Sequence, residues 1–237
     1  MLTTPEGVHH ASCCEGTAIL DTRSDRWVML DPDASRIWQT LLARGTTDGL
    51  AHEIVTWCGA DEATVAPAVA STVEHLVARG LLTDTALSQS APALEDLAQQ
   101  PAPPAVAVPE QVPLRFRLVA LVALALALVV LRLPLRTRIR LVRATSHLPY
   151  ASPKTLGMLH AAVLSVRPPW WRGRLACMET SLTVVVAAAL VGRRARWVLG
   201  ARFLPHAAHA WAEVPGGASG RDGQDAADRP WMAVLIT

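Results

Sequence analysis

Apolar positions recur along the first eighty residues in short alternating runs and then at helical spacing. Residues 17–21 (Thr-Ala-Ile-Leu-Asp) and 26–30 (Arg-Trp-Val-Met-Leu) are β-prone runs separated by the turn-rich 22–25, the pattern of a hairpin. Three amphipathic helices are predicted to follow. The first, 34–44, places Ile37, Trp38, Leu41 and Leu42 on one face, and the second, 48–57, does the same with Leu50, Ile54 and Val55. The third, 62–79, carries a stripe of Val65, Val69, Val73 and Leu76. Asp33, Thr47 and Asp61 are the expected N-caps, and Gly45 and Gly80 the expected stops of the first and third helices.

The pattern then changes. Residues 86–113 are rich in Ala, Pro and Gln, with six prolines that defeat both helix and central strand, so this stretch reads as a semi-rigid linker with one or two helical turns at 93–99. Residues 118–131 are fourteen consecutive apolar residues, bracketed by Arg115 and Arg117 before and by Arg132, Arg136, Arg138 and Arg140 after. A membrane span needs about twenty apolar residues, which favours a core helix. The arginines nevertheless allow weak contact with an anionic membrane surface. Pro134 ends this helix, the basic stretch to Arg143 starts another, and a further helix is expected over 152–166. The apolar segment 177–191 contains the β-branched run 183–186, but it is too long for a usual strand and is predicted to be a buried central helix. Strands are expected at 195–201, 206–214 and 231–236, forming an antiparallel sheet against that helix.

The 237 residues therefore divide into a domain at 1–85, a linker at 86–113 and a second domain at 114–237, an α+β protein throughout. The net charge of +2 conceals a segregation: residues 1–113 carry 5 Lys/Arg against 15 Asp/Glu, while residues 114–204 carry 15 against one, Glu179. A hairpin or three-stranded sheet with three helices is a small winged-helix arrangement, yet a net charge of −10 over 1–113 argues against nucleic acid, which needs Lys and Arg to offset phosphate. The four cysteines lack CxxC spacing and no signal-peptide pattern opens the chain, which points to a reducing cytoplasm; no metal or other cofactor is expected.

One cysteine stands where it can react. Cys177 opens the central helix, where exposed N–H groups and the positive dipole end lower a thiol's pKa. A base is offered about thirty residues on by His206 or His209, which face opposite sides if they share a strand, and an acid by Asp222, Asp225 or Asp228.

The strings Cys177-Met-Glu-Thr-Ser-Leu182, Arg193-Arg-Ala-Arg-Trp-Val-Leu-Gly200 and His209-Ala-Trp-Ala-Glu-Val214 resemble the leader peptidase of lasso-peptide biosynthesis, a branch of the transglutaminase-like cysteine proteases. The resemblance implies a transglutaminase/papain-like fold, with Cys177 as nucleophile, His209 as base and Asp222 as the third residue, Asp225 being the fallback. Ala18-Ile-Leu-Asp21, Arg26-Trp-Val-Met-Leu-Asp31, Ala34-Ser-Arg-Ile-Trp38 and Leu76-Val-Ala-Arg-Gly-Leu-Leu82 resemble the precursor-recognition element of ribosomal peptide biosynthesis. That family adds a leader peptide as a strand beside the sheet and over the third helix. Here this implies an edge of Arg26, Trp27, Val28, Met29 and Leu30 and a wall of Val65, Val69, Thr72 and Val73. Together the resemblances imply a fusion-type B protein that binds a precursor's leader, cuts it off, and passes the freed amine to a separate ATP-dependent cyclase. The competing reading is a non-catalytic peptide-binding adaptor.

Overall fold

The computed structural model describes residues 1–84, 103–166, 177–220 and 231–237 of the chain. These fall into two compact units, Met1–Ala98 and Gln99–Thr237.

In the first unit, strands β2 (Val8–Cys13), β3 (Gly16–Asp21) and β4 (Arg26–Leu30) form an antiparallel sheet in that order, with helices α1 (Pro32–Arg44), α2 (Leu50–Cys58) and α3 (Glu62–Ala78) following. A short pair, β1 (Leu2–Thr3) and β5 (Thr83–Asp84), ties the two ends of the unit together. The hairpin of β3 and β4 is locked by Asp21, whose carboxylate accepts from the Arg23 backbone N–H at 2.9 Å, Arg23 Nε at 2.8 Å and Ser24 Oγ at 2.9 Å. Trp38, Leu41, Leu50, Val65, Val69 and Leu76 of the helices pack with Ile19 and Leu30 of the sheet in one core.

Three local expectations are corrected. Pro32 opens α1, so the cap is Asp31, which accepts from the Ala34 N–H at 2.8 Å, and Asp33 falls in the first turn instead. Helix α2 starts from Gly49 in the left-handed conformation and not from Thr47. Asp61 does hold the N-cap position of α3, but its side chain makes no cap hydrogen bond. Strand β2 completes the three-stranded form of the sheet, at residues the pattern does not locate: Val8 and Ala11 are its buried residues, a spacing of three that hides the usual alternation.

The second unit is built around α7 (Cys177–Leu190), with α4 (Leu114–Val130), α6 (Pro153–Ser165) and strand β7 (Ala207–Val214) packed against it. Helix α5 (Leu135–Arg143) follows Pro134, its N-cap. The sheet runs β8 (Gly217–Ser219), β7 (Ala207–Val214), β6 (Arg196–Arg202), β9 (Met232–Ile236), all antiparallel. Leu182, Thr183, Val184, Val185, Ala187 and Ala188 of α7 are all buried, and Trp197 Nε1 of β6 donates to Ser181 Oγ at 2.9 Å. Burial on nearly every side is why the β-branched run stays helical: tertiary packing outweighs a preference worth a few tenths of a kcal/mol per residue.

The linker expectation also changes. Residues 85–102, including the turns expected at 93–99, lie outside the described residues, but 104–106 belong to the second unit. The Val106 N–H donates to the Ala218 carbonyl and the Ala218 N–H to the Pro104 carbonyl, each at 2.9 Å, adding a parallel bridge to the outer edge of β8. Prolines at 103 and 104 favour an extended chain, and an extended chain can lie on a sheet edge as well as span between domains. Just beyond, the chain passes so close to α6 that a Cβ on Gly157 would lie 2.2 Å from the Ala107 carbonyl oxygen. Gly157→Ala is accordingly expected to lower the thermal midpoint through a destabilisation of about 1–3 kcal/mol, the usual range for overpacking. An unchanged melting curve would show that 107 does not rest on α6.

Candidate functional site

Cys177 is the first residue of α7, half-buried, with its thiol at the helix N-terminus. His209 lies on β7, directly opposite Gly200 of β6. The structure brings the two together. Burial alone would push the Cys177 thiol up, but a hydrogen bond with the His209 side chain, the backbone N–H of Ala210, the charge of His209 and the N–H of Met178 outweigh it and hold the thiol below its ordinary value. Cys13 shows the opposite balance, burial pushing its thiol up.

The imidazole is held on several sides. Its Nε2–H donates to the Gly220 carbonyl oxygen at 2.6 Å, so in the neutral ring Nδ1 is the acceptor. The Trp231 ring stacks on it at 4.9 Å and 30°, Trp211 at 6.0 Å and 22°, and the Arg202 guanidinium lies over the nearer of the two, 4.6 Å from the Trp231 centroid. Indole faces favour a cationic ring, which suits an imidazole that must take up a thiol proton. Gly200 makes the arrangement sterically feasible: a Cβ there would lie 2.5 Å from Trp211 and 2.4 Å from the Met232 carbonyl oxygen. His206, the alternative base, precedes β7, is exposed, and meets Phe203 edge-on at 5.5 Å.

Asp222, Asp225 and Asp228, and the Pro-Trp-Trp and Gly173 segment before Cys177, lie outside the described residues. Among the described residues no group of three or more His, Cys, Asp or Glu side chains could hold a metal ion. The Gly220 carbonyl and the Trp231 stack carry no signal in the sequence; His160 of α6, a base by chemistry alone but without a matching motif, has its Nε2 3.9 Å from where a Gly220 Cβ would be. The legible signal was Gly200, a glycine inside an otherwise apolar strand, which marks a close approach.

The pairing has a reagent-level consequence. Iodoacetamide labelling, followed peptide by peptide by mass spectrometry, is expected to modify Cys177 at pH values below the ordinary thiol range. His209→Ala is expected to move that midpoint upward, because burial then acts without its main counterweight. As pH falls through the Cys177 pKa the reactivity should be lost. A midpoint that is the same in both proteins would separate the thiol from the imidazole.

In the first unit, β4 is an edge of its sheet, and among the described residues no strand pairs with its outer side. Arg26 is exposed, Trp27, Val28 and Met29 are half-buried, and Leu30 is buried. Of the expected wall, Val65 and Val69 are buried in the core, whereas Thr72 and Val73 are half-buried and nearer the surface.

Two family models match the chain. Residues 16–82 match that of coenzyme PQQ synthesis protein D (PqqD), and residues 118–229 that of the transglutaminase-like superfamily. The protein thus couples a PqqD-like recognition element to a transglutaminase-like domain. These are, in order, the two parts of the fusion-type B protein that the sequence resembles. No curated protein matches the chain. A solved structure, "TbiB1 in Complex with the TbiA(beta) Leader Peptide", is 26% identical, covering 36% of this chain and 99% of that one, with a TM-score of 0.29.

Proposed function

We propose that this protein binds the leader of a ribosomally made lasso precursor and removes it by thiol hydrolysis of one peptide bond. The observation that carries the reading is the meeting of Cys177, at the N-terminus of a buried helix, with a stacked and hydrogen-bonded His209 in a transglutaminase-like domain. The Cys177 thiolate attacks the scissile carbonyl carbon, and His209, now imidazolium, gives its proton to the leaving nitrogen as the C–N bond breaks. The leader remains as a thioester on Cys177 Sγ. Water then attacks this thioester with His209 as base, releasing the leader as a carboxylate and restoring the thiol. The Cys177 backbone N–H serves as one oxyanion donor. Asp222, two residues beyond Gly220 in the chain, is the proposed third member, with Asp225 as the fallback.

The leader would add as a strand along β4, with Thr72 and Val73 of α3 beside it: edge backbone groups supply affinity and side-chain pockets supply specificity. The PqqD match and the β4 edge, which no strand among the described residues covers, support this. The product is a core peptide with a free α-amine, the group a separate ATP-dependent cyclase would join to a side-chain carboxylate.

Mass spectrometry of the cognate precursor incubated with the intact protein tests the reading. The expected result is two new masses that sum to the precursor plus one water. Binding without cleavage, alone or with the cyclase present, would transfer the protein to the adaptor class.

A further inference from the structure

Helix α4 packs with its faces reversed. The side turned to the core carries the small residues Ala120, Ala123 and Ala127 with Leu124, the first two having no exposed surface. Its large aliphatic residues point outward: Leu114, Leu118, Leu121, Val122, Leu126 and Val129 are exposed, Val129 by 67% and Leu118 by 55%. At 100° per residue these six occupy an arc of about 140° and run roughly 22 Å along the helix. A solvated helix would place these side chains inward and the alanines outward, so a contiguous aliphatic stripe of this length marks a surface that is covered.

The surroundings of the stripe identify the cover. Helical phase sets Arg115 inside the stripe near one edge and Arg117 about 40° beyond the other, and Arg132, Arg136, Arg140 and Arg143, which follow it in the chain, are exposed. Across 114–204 the sole acid is Glu179. A second copy packed through the same helix face would bring these arginines against one another. A protein partner would ordinarily find aromatic anchors and about one hydrogen bond per 100–200 Å², yet 118–131 offers neither an aromatic ring nor a polar side chain. Lipid requires neither. Val130, the last residue of α4, also lines an apolar cleft of about 260 Å³ with Leu141, Leu182, Val186 and Leu190, open to an inserted acyl chain. No helix among the described residues is long and apolar enough to cross a membrane, which leaves α4 to lie along the surface.

We propose that the outer face of α4, with its flanking arginines, docks the protein on an anionic membrane surface. The acyl region receives the Leu/Val stripe and the lipid phosphates receive the arginines. This does not depend on the leader-processing reading.

The test is co-sedimentation of the full-length protein with vesicles of equal parts phosphatidylglycerol and phosphatidylcholine, against phosphatidylcholine alone. Binding is expected to be at least tenfold stronger on the anionic vesicles and to weaken in high salt. Leu118→Gln/Val122→Gln/Leu126→Gln, which changes exposed positions, is expected to reduce it at least tenfold. Arg115→Ser/Arg117→Ser, which leaves every aliphatic contact in place, should reduce it by about fivefold per arginine. Equal binding to neutral vesicles, binding untouched by both variants, or no binding to anionic vesicles overturns the proposal. A soluble complex with the cyclase that the triple variant abolishes, without vesicle binding, also overturns it and assigns the face to a protein.

Discussion

Cys177→Ala is expected to bind leader peptide as the native protein does and to release none. Removing the nucleophile of a thiol or hydroxyl protease costs on the order of 10⁴- to 10⁶-fold in turnover, and removing its base in addition costs little more. Cys177→Ala/His209→Ala should therefore be no slower than Cys177→Ala alone. Asp222→Ala should be milder, because the Gly220 carbonyl still holds Nε2 of His209. Leader affinity measured by titration and product masses measured over time separate these cases. A Cys177→Ala protein that still cleaves would move the nucleophile elsewhere and remove the basis of the mechanism.

The second large effect is expected from removing the recognition unit. A chain of residues 99–237 keeps the whole second unit, including the 104–106 bridge on β8. Its kcat/KM on the full precursor should fall on the order of 10²-fold, about 2.7 kcal/mol, with kcat at saturating peptide little changed, since leader binding away from the scissile bond is made equally in ground and transition states. A fall carried by kcat would instead make the first unit part of the catalytic assembly. The point of truncation matters. Starting at 114 would discard both hydrogen bonds to Ala218, at about 1 kcal/mol each, and expose the edge of β8.

Much of this was legible from periodicity. Helix α7, the strands that became β6, β7 and β9, and the α1–α3 set all follow from where apolar residues recur. Cys177 could be nominated because a thiol at a helix N-terminus is suited to this chemistry, whereas the choice of His209 over His206 came from the resemblance and not from periodicity. What escaped depends on the chain folding back on itself. Strand β8 is Gly217-Ala-Ser219, which has no β signal of its own and is a strand because β7 and 104–106 lie on either side of it. The carbonyl of Gly220 is a backbone atom, and no side-chain motif can announce it. Trp231, on a different segment, comes to lie against His209, and Arg202 over Trp231, only in the folded chain. Helix α4 was expected to be a core helix and is one on its alanine side; an all-apolar sequence does not encode which face turns inward.

The hydrogen bonds of Pro104 and Val106 with Ala218 lie two residues from the carbonyl that fixes His209. The orientation of the base therefore rests on a three-residue strand at the rim of the sheet, in the class of structure that opens locally well below the free energy of global unfolding. The tryptophan and leucine core around α7 can outlast that rim. A proline-rich strap on one edge is therefore expected to loosen its hold on the base before the interior melts, so activity should fall at a lower temperature than the thermal midpoint of the second unit.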